Sequence, residues 1–239
     1  MAKLRLFCFP YAGGGASGFY AWANELPSDV EIIGIQMANL KSRFKESPTK
    51  SVKSVVEMLA YAIYPKLNKP FSFFGHSLGA LIGFELARKL SKQYGFRPIH
   101  LFVSGMRAPQ ITDSRAPIHS LKESEFLVEL HRRYEGLPDE FLQCPDIMKD
   151  LLPGLRADFK MYESYTYIDD NPLDCHITAF GGLQDYSVSR KDLEAWRNQT
   201  MRAFALYMVP GNHFFIYYER KYFLRLLSNE IIKTLERLR

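Results

Sequence analysis

Cysteine is scarce, with three residues in 239: Cys8, Cys144 and Cys175. They are too few and too scattered for a disulfide framework or a zinc site. With no Cys-x-x-Cys pair among them, they point to a reducing compartment, the cytosol. Long apolar runs are also missing. No stretch of about 18 apolar residues occurs, so no transmembrane helix is expected. The chain does not open on a secretory signal, because its first apolar run, Leu6 to Phe9, stops at Pro10 and a glycine cluster. Blocks of like charge are absent, which argues against a tail that binds nucleic acid. Internal repeats and linkers rich in Gly, Pro or Ser are absent too.

What is present is ordinary globular composition, 47% hydrophobic and 24% charged, in a chain long enough to bury a sizeable core. The reading is a single domain over residues 1–239. Lys+Arg exceed Asp+Glu by 31 − 26 = +5, a mild excess that suits an acidic partner.

Six short apolar runs read as buried parallel strands: Leu4–Phe9, Val30–Met37, Phe71–Gly75, His100–Ser104, Cys175–Gly181 and Phe204–Val209. Helix-period segments lie between them. In Val52–Tyr64, residues Val52, Val55, Val56, Leu59 and Ile63 share a face, and Leu78–Gln93 and Tyr217–Leu238 follow the same period. The alternation implies an α/β fold with a mostly parallel sheet flanked by helices. Residues 117–165 break the alternation. They carry amphipathic patterns over Glu123–Arg133 and Ile147–Glu163, separated by Gly136-Leu137-Pro138 and Pro145, and read as a helical lid inserted in the domain. A set of plain crossover helices is the other reading. Aromatics in this stretch and beside it (Phe126, Tyr134, Phe141, Phe159, Tyr162, Tyr165, Tyr167) either line an acyl channel or build core.

The chemistry starts at Gly75-His76-Ser77-Leu78-Gly79, which joins an apolar run directly to a helix pattern. Gly-x-Ser-x-Gly in that setting is a nucleophile elbow, a tight turn that lifts the serine hydroxyl above the sheet edge. The N–H of Leu78 would then point into the site from a helix N-terminus, where an oxyanion is favoured. A serine needs a base, and in this arrangement the chain order is serine, acid, histidine. Of six histidines, only His213 follows a late strand at a turn, in Val209-Pro210-Gly211-Asn212-His213. His100 and His176 fall in strand runs, His76 in the elbow, and His119 and His131 in the helical insert. Asp185 sits just past the fifth run and is the candidate acid that holds the imidazole. Asp192 and Glu194 read as a solvated helix face, and Asp169 and Asp170 lie at the wrong end of that strand. The loop after the first run, Pro10-Tyr11-Ala12-Gly13-Gly14-Gly15, offers the N–H of Ala12 as a second oxyanion donor. Gly13, Gly15 and Gly18 formally match a dinucleotide loop. That reading wants an acid at the end of the next strand, and Gln36-Met37-Ala38-Asn39 supplies none.

These motifs, with Gly181-Gly182-Leu183-Gln184-Asp185, Gly211-Asn212-His213-Phe214-Phe215, Leu101 to Pro109 and Leu151 to Phe159, occur in one order along nearly the whole chain. Together they resemble the type II, stand-alone thioesterases of nonribosomal peptide and polyketide synthesis. The same pattern is shared by the mammalian thioesterase that releases medium-chain fatty acids. The resemblance implies an α/β-hydrolase fold with a helical lid and a Ser77–His213–Asp185 triad. It implies hydrolysis of acyl groups from the phosphopantetheine arm of acyl or peptidyl carrier proteins. No metal and no bound cofactor is implied, since the arm arrives with the carrier; nor is a nucleic acid or membrane partner, and a monomer is the default. One departure stands out. The family's Leu-Pro-Gly-Arg-Glu stretch is replaced by Met37-Ala38-Asn39-Leu40-Lys41-Ser42-Arg43, which puts carrier choice at that loop in question. The alternatives are a medium-chain fatty acyl thioesterase, a carboxylesterase of the same fold, and a non-catalytic scaffold.

Overall fold

The computed structural model describes residues 2–36, 51–134 and 145–238, the first six of the last segment by backbone alone. The divergent Met37–Arg43 loop, the Gly136-Leu137-Pro138 break, Phe141 and Cys144 lie outside the described residues.

In chain order the elements are β1 (Leu4–Phe9), α1 (Ser17–Tyr20), β2 (Val30–Gly34), α2 (Val52–Ile63), β3 (Phe71–His76), α3 (Leu78–Tyr94), β4 (His100–Ser104), α4 (Glu123–Tyr134), α5 (Pro145–Glu163), β5 (His176–Gly182), α6 (Arg190–Glu194), β6 (Phe204–Val209), α7 (Phe215–Tyr218) and α8 (Arg220–Glu236). The strands form one sheet in the order β2-β1-β3-β4-β5-β6, with every pairing parallel. A parallel sheet needs helices on both faces, and side-chain alternation prepares both. Phe7 and Phe9 of β1, Phe73 of β3 and Val103 of β4 join one core with α2 and α3. Leu4, Leu6 and Cys8 of β1, with Phe74, Phe102 and Phe180, join the opposite core with Trp22 and with Phe223, Leu227 and Ile231 of α8. The apolar face expected of α2 is buried, and Ser51 starts the helix by accepting the Ser54 N–H at 3.2 Å.

Two elements differ from the sequence reading. The second apolar run extends to Met37, but its strand ends at Gly34. Beyond it, Gln36 turns its side chain to accept the Ala16 N–H at 2.8 Å, bracing the glycine-rich loop instead of extending the ladder. The expected helix Tyr217–Leu238 is divided. Short α7 buries Phe215 and Ile216 beside the His213 loop, the chain leaves helical geometry at Glu219 (φ −110°, ψ 32°), and α8 then lays its own apolar face on the sheet. Periodicity cannot see such a break when both sides carry apolar residues. Between β4 and β5 no strand interrupts α4 and α5 among the described residues. Their side chains gather with Ile118, from the segment before α4, in a small core of their own: Phe126, Leu130, Leu152, Leu155 and Phe159.

Candidate active site

The strand order reverses direction at β1 and β3: β2 lies on one side of β1, and all later strands lie on the other. In open parallel sheets, ligands bind past the carboxyl ends of the strands at such a switch point. Ala12 follows β1 and Ser77 follows β3, so both stand at this position. Asp185 follows β5 and His213 follows β6, at the same sheet edge.

Ser77 has φ 52° and ψ −125°, the one non-glycine residue with positive φ among the described residues. A side chain in that region is strained by roughly 1–3 kcal/mol and persists only where the surroundings impose it. The surroundings are backbone. A Cβ at position 75 would lie 2.3 Å from the Gly79 carbonyl oxygen, and one at position 79 would lie 2.2 Å from that of Phe9. Only two glycines let β1, β3 and α3 approach so closely. The Ser77 N–H donates to the Ser104 carbonyl at 2.8 Å, which ties the turn to β4. Leu78 is the first residue of α3, where the helix leaves its own N–H groups without an intrahelical acceptor. Within the elbow, His76 is fully buried and shares a 2.9 Å hydrogen bond with Ser104 Oγ, while its Nε2 meets no hydrogen-bonding partner among the described residues. Burial, followed by the neighbouring His213, holds the His76 pKa well below its ordinary value, so this ring stays neutral.

Asp185 and His213 are both buried, and Asp185 Oδ2 lies 2.7 Å from His213 Nδ1. The other carboxylate oxygen accepts the Ser187 N–H at 2.8 Å, the Ser187 hydroxyl at 2.6 Å and the Val188 N–H at 3.3 Å. Burial works against charge on Asp185, but His213 and the Ser187 donors outweigh it and hold the carboxyl below its usual range. An ionised carboxylate accepts only, so Nδ1 carries the proton and Nε2 is left able to accept one. The competing carboxylates have other uses. Asp192 closes a capping box with Ser189 at the start of α6, Glu194 pairs with Arg190, and Asp170 pairs with Arg88 and Lys92.

Ser77, Leu78, Ala12 and His213 line one cavity of about 440 Å³. The sheet edge forms one wall. The other comes from Leu130 and Tyr134 of α4 and from Leu151, Leu155, Phe159 and Tyr162 of α5. This divides the aromatics named from sequence. Tyr134, Phe159 and Tyr162 face the cavity, Phe126 packs between the two helices, and Tyr165 and Tyr167 pack against the main core. The Tyr134 ring stands edge-on to His213 with centroids 5.2 Å apart. Among the described residues, the Gly13 N–H donates at 2.9 Å to Asp158 of α5, so the loop bearing Ala12 is tied to the helical wall.

Sequence reasoning missed three residues here. Ser187 had one local signal, its place two residues after Asp185, where an Asp side chain commonly caps a turn. Arg107 and Arg115 had none. Arg107 donates to the Ser187 carbonyl at 2.8 Å and reaches Asp113 at 3.4 Å. Arg115 binds both oxygens of Asp113 and enters the cavity wall.

The chain is similar to known proteins over nearly its whole length. A family model described as a thioesterase domain matches residues 4–236. The gramicidin S biosynthesis protein GrsT of Aneurinibacillus migulanus is 49% identical over 92% of this chain and 86% of its own. The medium-chain S-acyl fatty acid synthase thioesterase of Rattus norvegicus is 32% identical over 90% of this chain and 82% of its own. Among solved structures, RedJ, a thioesterase from the prodiginine biosynthetic pathway in Streptomyces coelicolor, superposes with a TM-score of 0.87. It is 38% identical, covering 96% of this chain and 91% of its own.

Proposed function

The chain belongs to the thioesterase family, with an α/β-hydrolase fold and thioester hydrolysis as its chemistry, and on that footing we propose that it is a type II enzyme that clears acyl groups from carrier proteins of nonribosomal peptide or polyketide synthesis. In this reading Ser77 Oγ attacks the thioester carbonyl while His213 Nε2 takes its proton. The N–H groups of Ala12 and Leu78 receive the oxyanion. As the C–S bond breaks, the imidazolium, steadied by Asp185, protonates the departing phosphopantetheine thiolate. The acyl group then rests on Ser77 until His213 activates a water to release it. The chain's own groups supply nucleophile, base and oxyanion donors, so the cycle calls on no metal and no bound cofactor. Helices α4 and α5 serve as the lid, and the apolar wall of Leu130, Leu155 and Phe159 receives the acyl chain. The net charge of +5 favours encounter with an acidic carrier.

The observation that carries this reading is that Ser77 and His213, the latter held by Asp185 at 2.7 Å, line one apolar cavity. The test is hydrolysis of a panel of acyl-loaded carrier proteins, from acetyl to decanoyl plus an aminoacyl group, with Ser77→Ala as control. The same acyl groups are run as free thioesters and oxygen esters. Faster turnover on the carrier is expected. Equal or better turnover of free oxygen esters would leave a general esterase. A profile confined to medium chains on a fatty acyl carrier would favour the fatty acid reading, which the apolar wall also suits.

A further inference from the structure

We propose that Ser187 is a positioning residue for the base: its hydroxyl, placed between Asp185 and His213, locks the carboxylate so that Oδ2 alone meets the imidazole. The proposal rests on the assignment of Ser77, His213 and Asp185 to catalysis.

The hydroxyl has one proton and two lone pairs. At 2.6 Å from Asp185 Oδ1 the proton goes to the carboxylate, and a lone pair is left facing His213 Nδ1 at 3.2 Å. The Nδ1–H therefore has two acceptors on one side of the ring, Asp185 Oδ2 and Ser187 Oγ. That arrangement fixes both the tautomer and the tilt of the imidazole. Ser187 is itself held from two directions. Its N–H donates to Asp185 Oδ1 at 2.8 Å, and its carbonyl accepts from Arg107 at 2.8 Å. Arg107 comes from the segment after β4, with its far end against Asp113, so the acid loop is clamped to a neighbouring strand end. The side chain of Ser187 is buried and has no other hydrogen-bonding partner among the described residues. Without it, Asp185 Oδ1 would keep only two backbone donors, the weaker at 3.3 Å, and would lose its shortest bond. A carboxylate free to rotate holds the imidazole less well at the moment of proton transfer.

The test compares the full chain with Ser187→Ala, Ser187→Thr and Ser187→Cys. Two rates are measured: turnover of octanoyl-coenzyme A, separated into kcat and KM, and labelling of Ser77 by a fluorophosphonate. Unfolding midpoints are the fold control. The alanine variant should keep its KM and lose about 10- to 100-fold in both kcat and labelling rate, the size of a hydrogen bond to a charged group. The threonine variant, which keeps the hydroxyl, should regain most of that loss. The cysteine variant preserves size but donates weakly, so it should fall with alanine; it carries the test if alanine does not fold. A folded alanine or cysteine variant within about twofold of the parent on both rates would overturn the proposal, as would a folded threonine variant no better than alanine. If the parent labels at Ser77 yet turns over neither octanoyl-coenzyme A nor octanoyl-loaded carrier protein, the substrate reading fails while the labelling rates still decide the role of Ser187.

Discussion

The two walls of the cavity are held in place by different forces. On one side, Ser77, Asp185 and His213 ride on loops rooted in a parallel sheet with an extensive core on each face. Their positions follow from backbone packing, as the Gly75 and Gly79 contacts show. On the other side, α4 and α5 share a small apolar cluster. One apolar anchor, Met161 of α5, reaches the main core, and polar fastenings make the other ties: Asp158 to the Gly13 N–H, Tyr162 to Asp113 at 3.3 Å, and Arg115 to Tyr134 at 3.2 Å. Apolar burial in a large core is cooperative and resists local opening, whereas a few part-buried hydrogen bonds contribute little each. In the proposed mechanism the reacting groups are thus mounted on the more deeply packed wall, and the acyl-facing surface on the wall expected to yield.

Mutations on the rigid wall should give the largest effects. Ser77→Ala and His213→Ala should each lower kcat by about 10⁴- to 10⁶-fold, and Asp185→Asn by somewhat less, with a cooperative unfolding transition retained by calorimetry. A loss under tenfold for Asp185→Asn would move the acid to another carboxylate. On the yielding wall, Asp158→Asn should cost about tenfold in kcat if the loop bearing Ala12 supplies the proposed oxyanion donor, because its bond to Gly13 is weakened. A parental kcat would show that the loop stands without α5. Amide exchange compares the walls directly. The amides of α4 and α5 should exchange through local opening and those of β1, β3 and β4 only through global unfolding. Matching rates would mean one cooperative unit and erase the contrast.

The smallest effect concerns Asp113. Burial opposes its charge, but Arg115 and then Arg107 prevail and lower its pKa from 3.8 to about 2. A carboxyl lowered on folding stabilises the protein above its unfolded pKa and loses that contribution as pH falls through its folded one. The gap in unfolding midpoint between the parent and Asp113→Asn should therefore be present at neutral pH and close between about pH 4 and pH 2. Its neutral value should be at most about 2–4 °C, as befits a partly exposed pair. A gap unchanged across that range would show that the carboxylate charge is not what fastens α4 and α5.

The same contrast governs what could be read from sequence. The strand runs were legible because a short apolar segment between two helix-period segments is too brief for a helix and too apolar for a surface loop. The loops bearing Ser77, Asp185 and His213 then followed from the strand ends. The yielding wall was not legible to the same degree. Helical period places Phe126, Phe159 and Tyr162 on apolar faces, but it cannot say which side of a helix pair looks into a cavity. Nor does any period mark the meeting of Arg107 with Ser187, or of Ser187 with His213, which the order of strands in the sheet brings about. The break at Glu219 was hidden for a similar reason, since Phe215 and Phe223 are equally apolar and only the tertiary path distinguishes them.

The positive φ of Ser77 also bears on how such an enzyme can be improved. Glycine tolerates that conformation, so Ser77→Gly should release the backbone strain. Even after the added freedom of the unfolded chain is subtracted, a gain of order 1 kcal/mol remains, measurable by denaturant titration. A library sorted for heat resistance alone would therefore be enriched in molecules that have discarded the proposed nucleophile. Selection must read turnover and endurance together, because at this one position the two pull in opposite directions.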